Sequence, residues 1–336
     1  MKIDVFNHYF PPAFFEFLSK KLPAGPVNRW KLYRPLYDLD ARLRQVDEFP
    51  DYCQILSLSQ PPINELGSPE ETPALARMAN DGLSQVCKGH PDHFPGFLAG
   101  LPMNNIDAAV KEIERCRGLP GFVGVQLHSN VSGRALDDPE FFPVFETMAK
   151  IGKPVWLHPS RGANFPDYTA EKKSKYEIWW LFGWDYEITA AMARLVFGLV
   201  LDKLPNLKVI AHHMGGYVPQ AEARINPHMN DLGLRTYDED YAPIIAQMTK
   251  SGKKPIDYFK MFYADTALFG ATAATRCGIE FFGVDKTVFA SDSPFASDGG
   301  SMLIRDTLRA LDELDLPKKD RAAIDDGNAK KMIGLK

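Results

Sequence analysis

Short apolar runs alternate with stretches of helical period along almost the whole chain. Eight runs rich in β-branched and aromatic residues read as buried strands: Lys2–Phe10, Tyr52–Ser59, Phe94–Leu101, Gly121–Leu127, Lys153–His158, Leu207–His213, Lys260–Asp265 and Thr287–Asp292. Between them the apolar positions recur at three and four residues, the mark of a helix with one buried face. Asp38 to Glu48 reads as a helix with Asp38 as N-cap. Ser68 and Pro69 read as the cap and first turn of a helix that carries Leu75, Met78, Ala79, Leu83, Val86 and Cys87. Further helices are expected over Ile106–Cys116, Asp138–Ile151, Asp185–Leu204, through Arg224, Leu268–Phe282, Ser301–Leu314 and Pro317–Ile333. Eight strands alternating with helices predict an α/β fold, a single closed parallel (β/α)8 TIM barrel spanning 1–336.

Two stretches interrupt the rhythm. Residues 11–37 are rich in proline and aromatics and read as a lobe inserted after the first strand. Residues 159–184, after the fifth strand, hold Phe165, Tyr168, Tyr176, Trp179, Trp180 and Trp184. A loop of that length in a compact domain is usually functional, and this one is too aromatic for disorder. It reads as a lid over the site or an oligomer contact.

The strand ends carry the candidate chemistry. Parallel barrels place their active sites at the C-terminal strand ends. His8 ends the first strand, His158 the fifth and Asp292 the eighth. Two imidazoles and a carboxylate suit one zinc, manganese or iron ion with positions open for water or substrate. The same trio also serves non-haem iron oxygenases, a reading the barrel disfavours. Strand alternation puts Asp4, Phe6 and His8 on one face and Val5 and Asn7 on the other. His212 and His213 are adjacent, so alternation lets only one face the mouth. His213 lies nearer the strand end and is chosen as acid/base; His212 is read as packed between barrel and helix. Gly215-Gly216 then permits a tight turn. Asp292 is a ligand, a proton carrier, or both in turn. Asp265 caps a helix or orients His213. Arg42 and Arg44, on the helix after the insertion, and Arg224 are candidate carboxylate anchors, with Trp184 and Phe6 as further substrate contacts. His90, His93, His128 and His228 read as surface or locally bonded residues, with His128 at the end of the fourth strand able to face substrate. No lysine ends that strand, which favours one metal over two.

Composition narrows the partners. The 336 residues are 45% hydrophobic and 24% charged, with a formal net charge of −4. No basic excess points to nucleic acid, and no apolar run reaches the roughly 20 residues of a membrane span. The chain enters a strand at once, leaving no room for a signal peptide. Cys53, Cys87, Cys116 and Cys277 are scattered in apolar contexts and read as reduced core thiols. A cytoplasmic protein is expected.

The segments KIDVFNH, DARLRQVDEFPDYCQILSLSQPP, GFVGVQLHSNVSGRALDDPEFFPVFE, KPVWLHP, LPNLKVIAHHMGGYVPQAEARI, FYADTA and VFASDSPF together resemble the amidohydrolase superfamily. The likeness is to its aminocarboxymuconate-semialdehyde decarboxylase-like branch, which also holds resorcylate, salicylate-type and carboxyvanillate decarboxylases. The resemblance implies His158 and Asp292 as metal ligands and His213 as the acid/base histidine. It implies Arg42 as a substrate-carboxylate anchor and Arg224 as an arginine reaching the neighbouring subunit's site, hence a homodimer. The departure is at strand one. The family pattern there is HxH, or ExH in resorcylate-type enzymes, whereas this chain has Phe6 and His8. Phenylalanine cannot coordinate, so the site is one ligand short.

Three functions follow in order of expectation. The first is a metal-dependent, non-oxidative decarboxylase of an aromatic or conjugated unsaturated acid. It would use one divalent ion, zinc with manganese as the alternative, and no organic cofactor. The second is a hydrolase or hydratase acting on a lactone, amide or double bond at the same site. The third, motivated by Phe6, is a degenerate barrel that binds an aromatic acid without turning it over.

Overall fold

The computed structural model describes residues 1–228, 231–236 and 238–335, without the side chains of 226–228. The side chain of His228 therefore lies outside the described residues. The eight-stranded parallel sheet runs in chain order through β1 (Lys2–His8), β2 (Tyr52–Ser57), β3 (Gly96–Gly100), β4 (Phe122–His128), β7 (Val155–His158), β8 (Val209–Ala211), β9 (Tyr263–Asp265) and β10 (Thr287–Val288). A two-stranded antiparallel ribbon, β5 (Asn130–Val131) with β6 (Arg134–Ala135), stands apart from it. Hydrogen bonds cross the seam between the first strand and the segment that follows the last. Val5 N donates to Phe289 O at 3.0 Å, Asp292 N to Phe6 O at 3.0 Å and His8 N to Ser293 O at 2.8 Å. The expected (β/α)8 barrel is the fold.

Several boundaries are tighter than the apolar runs suggest, because a run outlasts the ladder it enters. The sixth barrel strand stops at Ala211 rather than His213, and the eighth at Val288 rather than Asp292. The helix expected from Ser68 begins at Thr72; Ser68 instead donates its amide to Glu71 Oε2 at 2.8 Å in a preceding turn. Asp38 caps its helix as expected, accepting from Ala41 N at 3.0 Å. The stretch 11–37 is more regular than its composition suggests, with helices Pro12–Lys21 and Ala24–Trp30. Each opens just after a proline that ends the preceding extended backbone.

Alternation divides the core in two. Cys53, Ile55, Leu98, Trp156, Ile210, Val288 and Ala290 fill the barrel, with Met332 and Ile333 closing its lower end. Leu56, Phe97, Leu127, Val155, Leu157 and Val209 pack outward against the helices. Beyond Trp156, Ile210 and Ala290 the next inward positions are His158, His212 and Asp292. The apolar interior thus becomes a polar mouth by continuing one period.

Strand β1 departs from simple alternation. Asp4 pairs with Gln54 but Asn7 with Leu56, so three residues of β1 advance against two of β2. This bulge separates Asp4 from Phe6 and His8, contrary to the expectation of one shared face. Phe6 joins the barrel-filling cluster. Asp4 instead anchors the seam: Oδ1 accepts from the amides of Phe6 at 3.2 Å and Ser291 at 3.1 Å. Its Oδ2 accepts from the hydroxyls of Tyr52 and Ser291, each at 2.5 Å. Burial pushes this carboxyl up to about 6, against the four hydrogen bonds that favour its charge.

Replacing Asp4 with alanine leaves the hydroxyls and amides at the seam without their acceptor. The expected loss is at least about 3 kcal/mol of folding free energy, measured by chemical denaturation. A loss below about 1 kcal/mol would show that the seam does not depend on this carboxylate.

Candidate active site

Four histidines and two aspartates gather where the inward strand positions end. His8, His158, His212, His213, Asp265 and Asp292 are all buried. Each imidazole is held through Nδ1. His8 Nδ1 lies 2.9 Å from Leu58 O, His158 Nδ1 2.6 Å from Pro159 O and His213 Nδ1 2.6 Å from Ala267 O. A carbonyl can only accept, so Nδ1 carries the hydrogen in these three and Nε2 is left for other work. His212 Nδ1 lies 2.7 Å from Asp265 Oδ2.

Asp292 is the meeting point. Its Oδ1 lies 3.0 Å from His8 Nε2 and 3.6 Å from His212 Nε2. A lone pair on His8 Nε2 and a carboxylate oxygen at that distance repel unless positive charge stands between or beside them. Burial alone would raise the Asp292 carboxyl, but His212 and His8 hold it well below the usual carboxylate range. Burial would likewise lower His212, yet Asp265, then Asp292, lift it to about 9. His158 is lowered far below its ordinary value by burial and the neighbouring histidines, and His213 is lowered by burial and His212. These last two are neutral at neutral pH, with free lone pairs.

That donor set fits a divalent cation. The imidazoles of His8, His158 and His213 are each held at Nδ1 by an outer carbonyl and that of His212 by a carboxylate, the usual supports of metal-binding histidine. Among the described residues, His212, His213 and Asp292 present ligand atoms within 4.8 Å of one another. The trio expected from strand ends was His8, His158 and Asp292. His8 and His158 stand at the same mouth, with ring centroids 5.2 Å apart.

His212 corrects the expectation of a residue packed outside the barrel. Its ring sits over Phe6 at a centroid distance of 3.5 Å and 6.0 Å from that of His158, inside the mouth. The strand has ended at Ala211, and His213 adopts φ +51° and Met214 φ +53°. Alternation no longer applies there, so both histidines turn inward. Gly215 and Gly216 continue the turn at φ +73° and +60°, and a Cβ on Gly216 would stand 2.2 Å from Asp185 O. Asp265 orients both histidines: Oδ2 binds His212, and Oδ1 accepts from His213 N at 3.1 Å.

Two cavities open on this cluster. The larger, about 560 Å³, is bordered by His8, His158 and Asp292, with Trp30, Trp179 and Phe295 among its aromatic walls. The smaller, about 310 Å³, is bordered by His213 and Asp185. Trp180, Trp184 and Phe269 line both. The Trp184 ring lies 5.7 Å from that of His158, its Nε1 donating to Arg161 O at 3.1 Å. Phe6 is wholly buried beneath the histidines and reaches neither cavity.

Arg42 does not reach them either. It is wholly buried behind β1, its Nη2 donating to Asn7 Oδ1 at 2.5 Å. Burial lowers it to about 10, with Tyr52 and Asp4 opposing. The helix Leu39–Asp47 turns it toward the outside of the barrel wall, which its sequence position did not disclose. The cations that border the larger cavity are Arg29, from the inserted helices, and Arg161, from the loop after β7. Arg161 pairs with Glu187 at 2.9 Å and lies over the Phe165 ring at 4.8 Å. Arg29 lies on the short helix Ala24–Trp30 and Arg161 in a loop, both in stretches whose sequence shows no clean period to mark which side chains turn inward. Arg224 is exposed and borders neither cavity. His128 ends β4 with its ring 4.9 Å from that of His158 and borders a small separate pocket.

Comparison with known proteins agrees with the barrel fold. The amidohydrolase family profile matches residues 6–335. Gamma-resorcylate decarboxylase of Polaromonas sp. is 30% identical over 348 residues, covering 99% of this chain and 98% of the relative. The 2-amino-3-carboxymuconate-6-semialdehyde decarboxylase of Dictyostelium discoideum is 28% identical over 352 residues, covering 100% and 92%. A dihydroxybenzoic acid decarboxylase of Polaromonas sp., solved with bound manganese and the inhibitor 2-nitroresorcinol, superposes with TM-score 0.78 at 26% identity, covering 99% of this chain and 97% of that one. With the profile running from the first strand to the last helix, this chain belongs to the amidohydrolase family.

Proposed function

We propose that the protein is a metal-dependent carboxy-lyase that removes carbon dioxide from an aromatic or conjugated unsaturated carboxylic acid, without oxygen or an organic cofactor. The observation that carries this reading is one wall. His8, His158 and Asp292 border a 560 Å³ cavity that also holds two arginines and a set of tryptophans. A flat acid with its charge at one end suits such a space. The relatives named for resorcylate and carboxymuconate-semialdehyde decarboxylation support the same class.

A divalent ion held by His8, His158 and Asp292 would act as a Lewis acid toward the substrate's carboxylate or an adjacent hydroxyl. The imidazole-rich set favours zinc. Manganese, present in the Polaromonas structure, is the competitor. The protein's own residues supply the rest. Arg29 and Arg161 are placed to hold the carboxylate end. Trp184 and its neighbours stack on the ring and exclude water. His213 can exchange a proton only through Nε2, because Nδ1 is committed to Ala267. At rest that nitrogen carries a lone pair, so it first takes a proton from solvent and then gives it to the ring carbon that bears the carboxylate. The carbon–carbon bond then breaks, its electron pair stays with the ring and carbon dioxide leaves.

A homodimer belongs to this reading. Tyr168, Tyr176, Phe182 and Tyr186 are exposed on and beside the loop after β7, an apolar surface that a second copy would cover. Exposed Arg224 is available to such a partner. The four free cysteines support a reducing, cytoplasmic setting. No helix among the described residues is long and apolar enough to cross a membrane.

Protein purified without chelator is expected to carry about one equivalent of divalent metal and to release carbon dioxide from a hydroxybenzoate or muconate-type acid. His158→Ala should lose both, read by elemental analysis and carbon dioxide evolution. Full turnover by metal-free protein would overturn the mechanism.

The arginines separate by kinetics. Arg161→Ala and Arg29→Ala should each raise KM roughly 10- to 100-fold, the worth of one charge-assisted hydrogen bond. Arg42→Met should lower the melting temperature and leave KM near the wild-type value. The reverse pattern, a raised KM from Arg42→Met alone, would return the anchor to Arg42.

A further inference from the structure

His212 is the one imidazole of the cluster that the mechanism above leaves idle. Its Nε2 is buried and has no hydrogen-bond partner. It borders neither of the two cavities and is 1% exposed, so it cannot touch a substrate in either. The nearest charged atom is Asp292 Oδ1 at 3.6 Å, the same oxygen that meets His8 Nε2 at 3.0 Å. Donor atoms separated by 3.0–3.6 Å are spaced as neighbours on a single ion with bonds of about 2.0–2.2 Å.

We propose that His212 is a ligand of the divalent ion, filling the coordination place that Phe6 cannot. The proposal rests on the reading that an ion binds here, and adds which residue completes its shell.

Three further features agree. Asp265 fixes the ring through Nδ1 at 2.7 Å, while its other oxygen accepts from the amides of His213 and Ala267, both at 3.1 Å. A carboxylate so restrained is the usual outer support of a metal-binding histidine. Phe6 packs against the imidazole at 3.5 Å and 31°, limiting its rotation. The residue without a lone pair therefore supports the residue that has one. His213 shares the ligand cluster but borders the smaller cavity, so it stays free for the proton. The competing account makes His212 a buried imidazolium between Asp265 and Asp292, structural only.

Chelator-stripped protein would be titrated with zinc against a chromogenic competitor, and its cobalt form examined by visible absorption. The variants are His212→Gln, His213→Gln, Phe6→His and the double change Phe6→His with His212→Gln. His212→Gln should weaken zinc at least as much as losing an outer-shell partner at its worst, about 100-fold, and alter the cobalt spectrum. His213→Gln should keep the wild-type spectrum. The double variant should recover most of the lost affinity, because strand one then supplies the donor. X-ray absorption on zinc-loaded wild type and on zinc-loaded His213→Gln should each count three imidazoles rather than two, which decides the matter even if His212→Gln fails to fold. Unchanged affinity and spectrum in His212→Gln, or a count of two, would reject His212 as ligand. The carboxy-lyase reading would survive that result provided His158→Ala still loses the metal. Wild-type protein that takes up no zinc or cobalt would reject both.

Discussion

A neutral imidazole has one N–H and one lone pair, and the protein decides which nitrogen carries which by what it sets against Nδ1. Here three histidines face backbone carbonyls and one faces a carboxylate. A carbonyl oxygen leaves no choice of tautomer. The lone pairs are thereby pointed away from the scaffold before anything binds. This constraint also explains the charge pattern. His158 and His213 stay neutral because burial and their neighbours resist another positive charge; only His212, gripped by Asp265, gains affinity for a proton. A site arranged in this way accepts a cation with little rearrangement.

The fold was legible because a parallel strand buried on both faces reads as a continuous apolar run, and eight such runs alternate with helical periods. Strand ends were legible for the same reason. The inward period that passes through Trp156 must deliver His158 next, and the one through Ala290 must deliver Asp292. The same logic, applied strictly through Ile210, selects His212. Nearness to the strand end points to His213 instead, because it ignores that period. His213 reached the site by another route, a left-handed backbone that no alternation rule contains. The β1 bulge is the opposite case. One extra residue moved Asp4 off the face of His8, and nothing in KIDVFNH marks where a ladder will slip.

The arginines show a second limit. Arg42 lies on a well-predicted helix, yet a helix position fixes only the face, not what that face meets. It meets the back of β1, where Asn7, Asp4 and Tyr52 surround the guanidinium. Arg29 and Arg161 lie in stretches whose conformation comes from tertiary packing, so their direction is a property of the assembled mouth. Residues of this kind become visible only when cavity walls are read from the folded chain.

Phe6 ties these threads together. A phenylalanine where a donor is expected looks like decay when strand one is read alone. In three dimensions it is part of an apolar floor, with Trp156 and Ile210, under the ring of histidines. Its full burial contributes about 1.5–3 kcal/mol to the core. A dry floor strengthens every charge interaction above it, since the field between an ion and a carboxylate is screened less than in water. It also removes the solvent that would serve stray polar groups, so each nitrogen above must find a protein partner or a bound ion. The outer carbonyls and Asp265 meet that demand for Nδ1. On the Nε2 side the unmet demand concentrates at Asp292 Oδ1, where the histidines of strand one and of the segment after β8 converge. Loss of a donor from one strand is tolerable in a barrel because adjacent positions on other strands point into the same few ångströms of space.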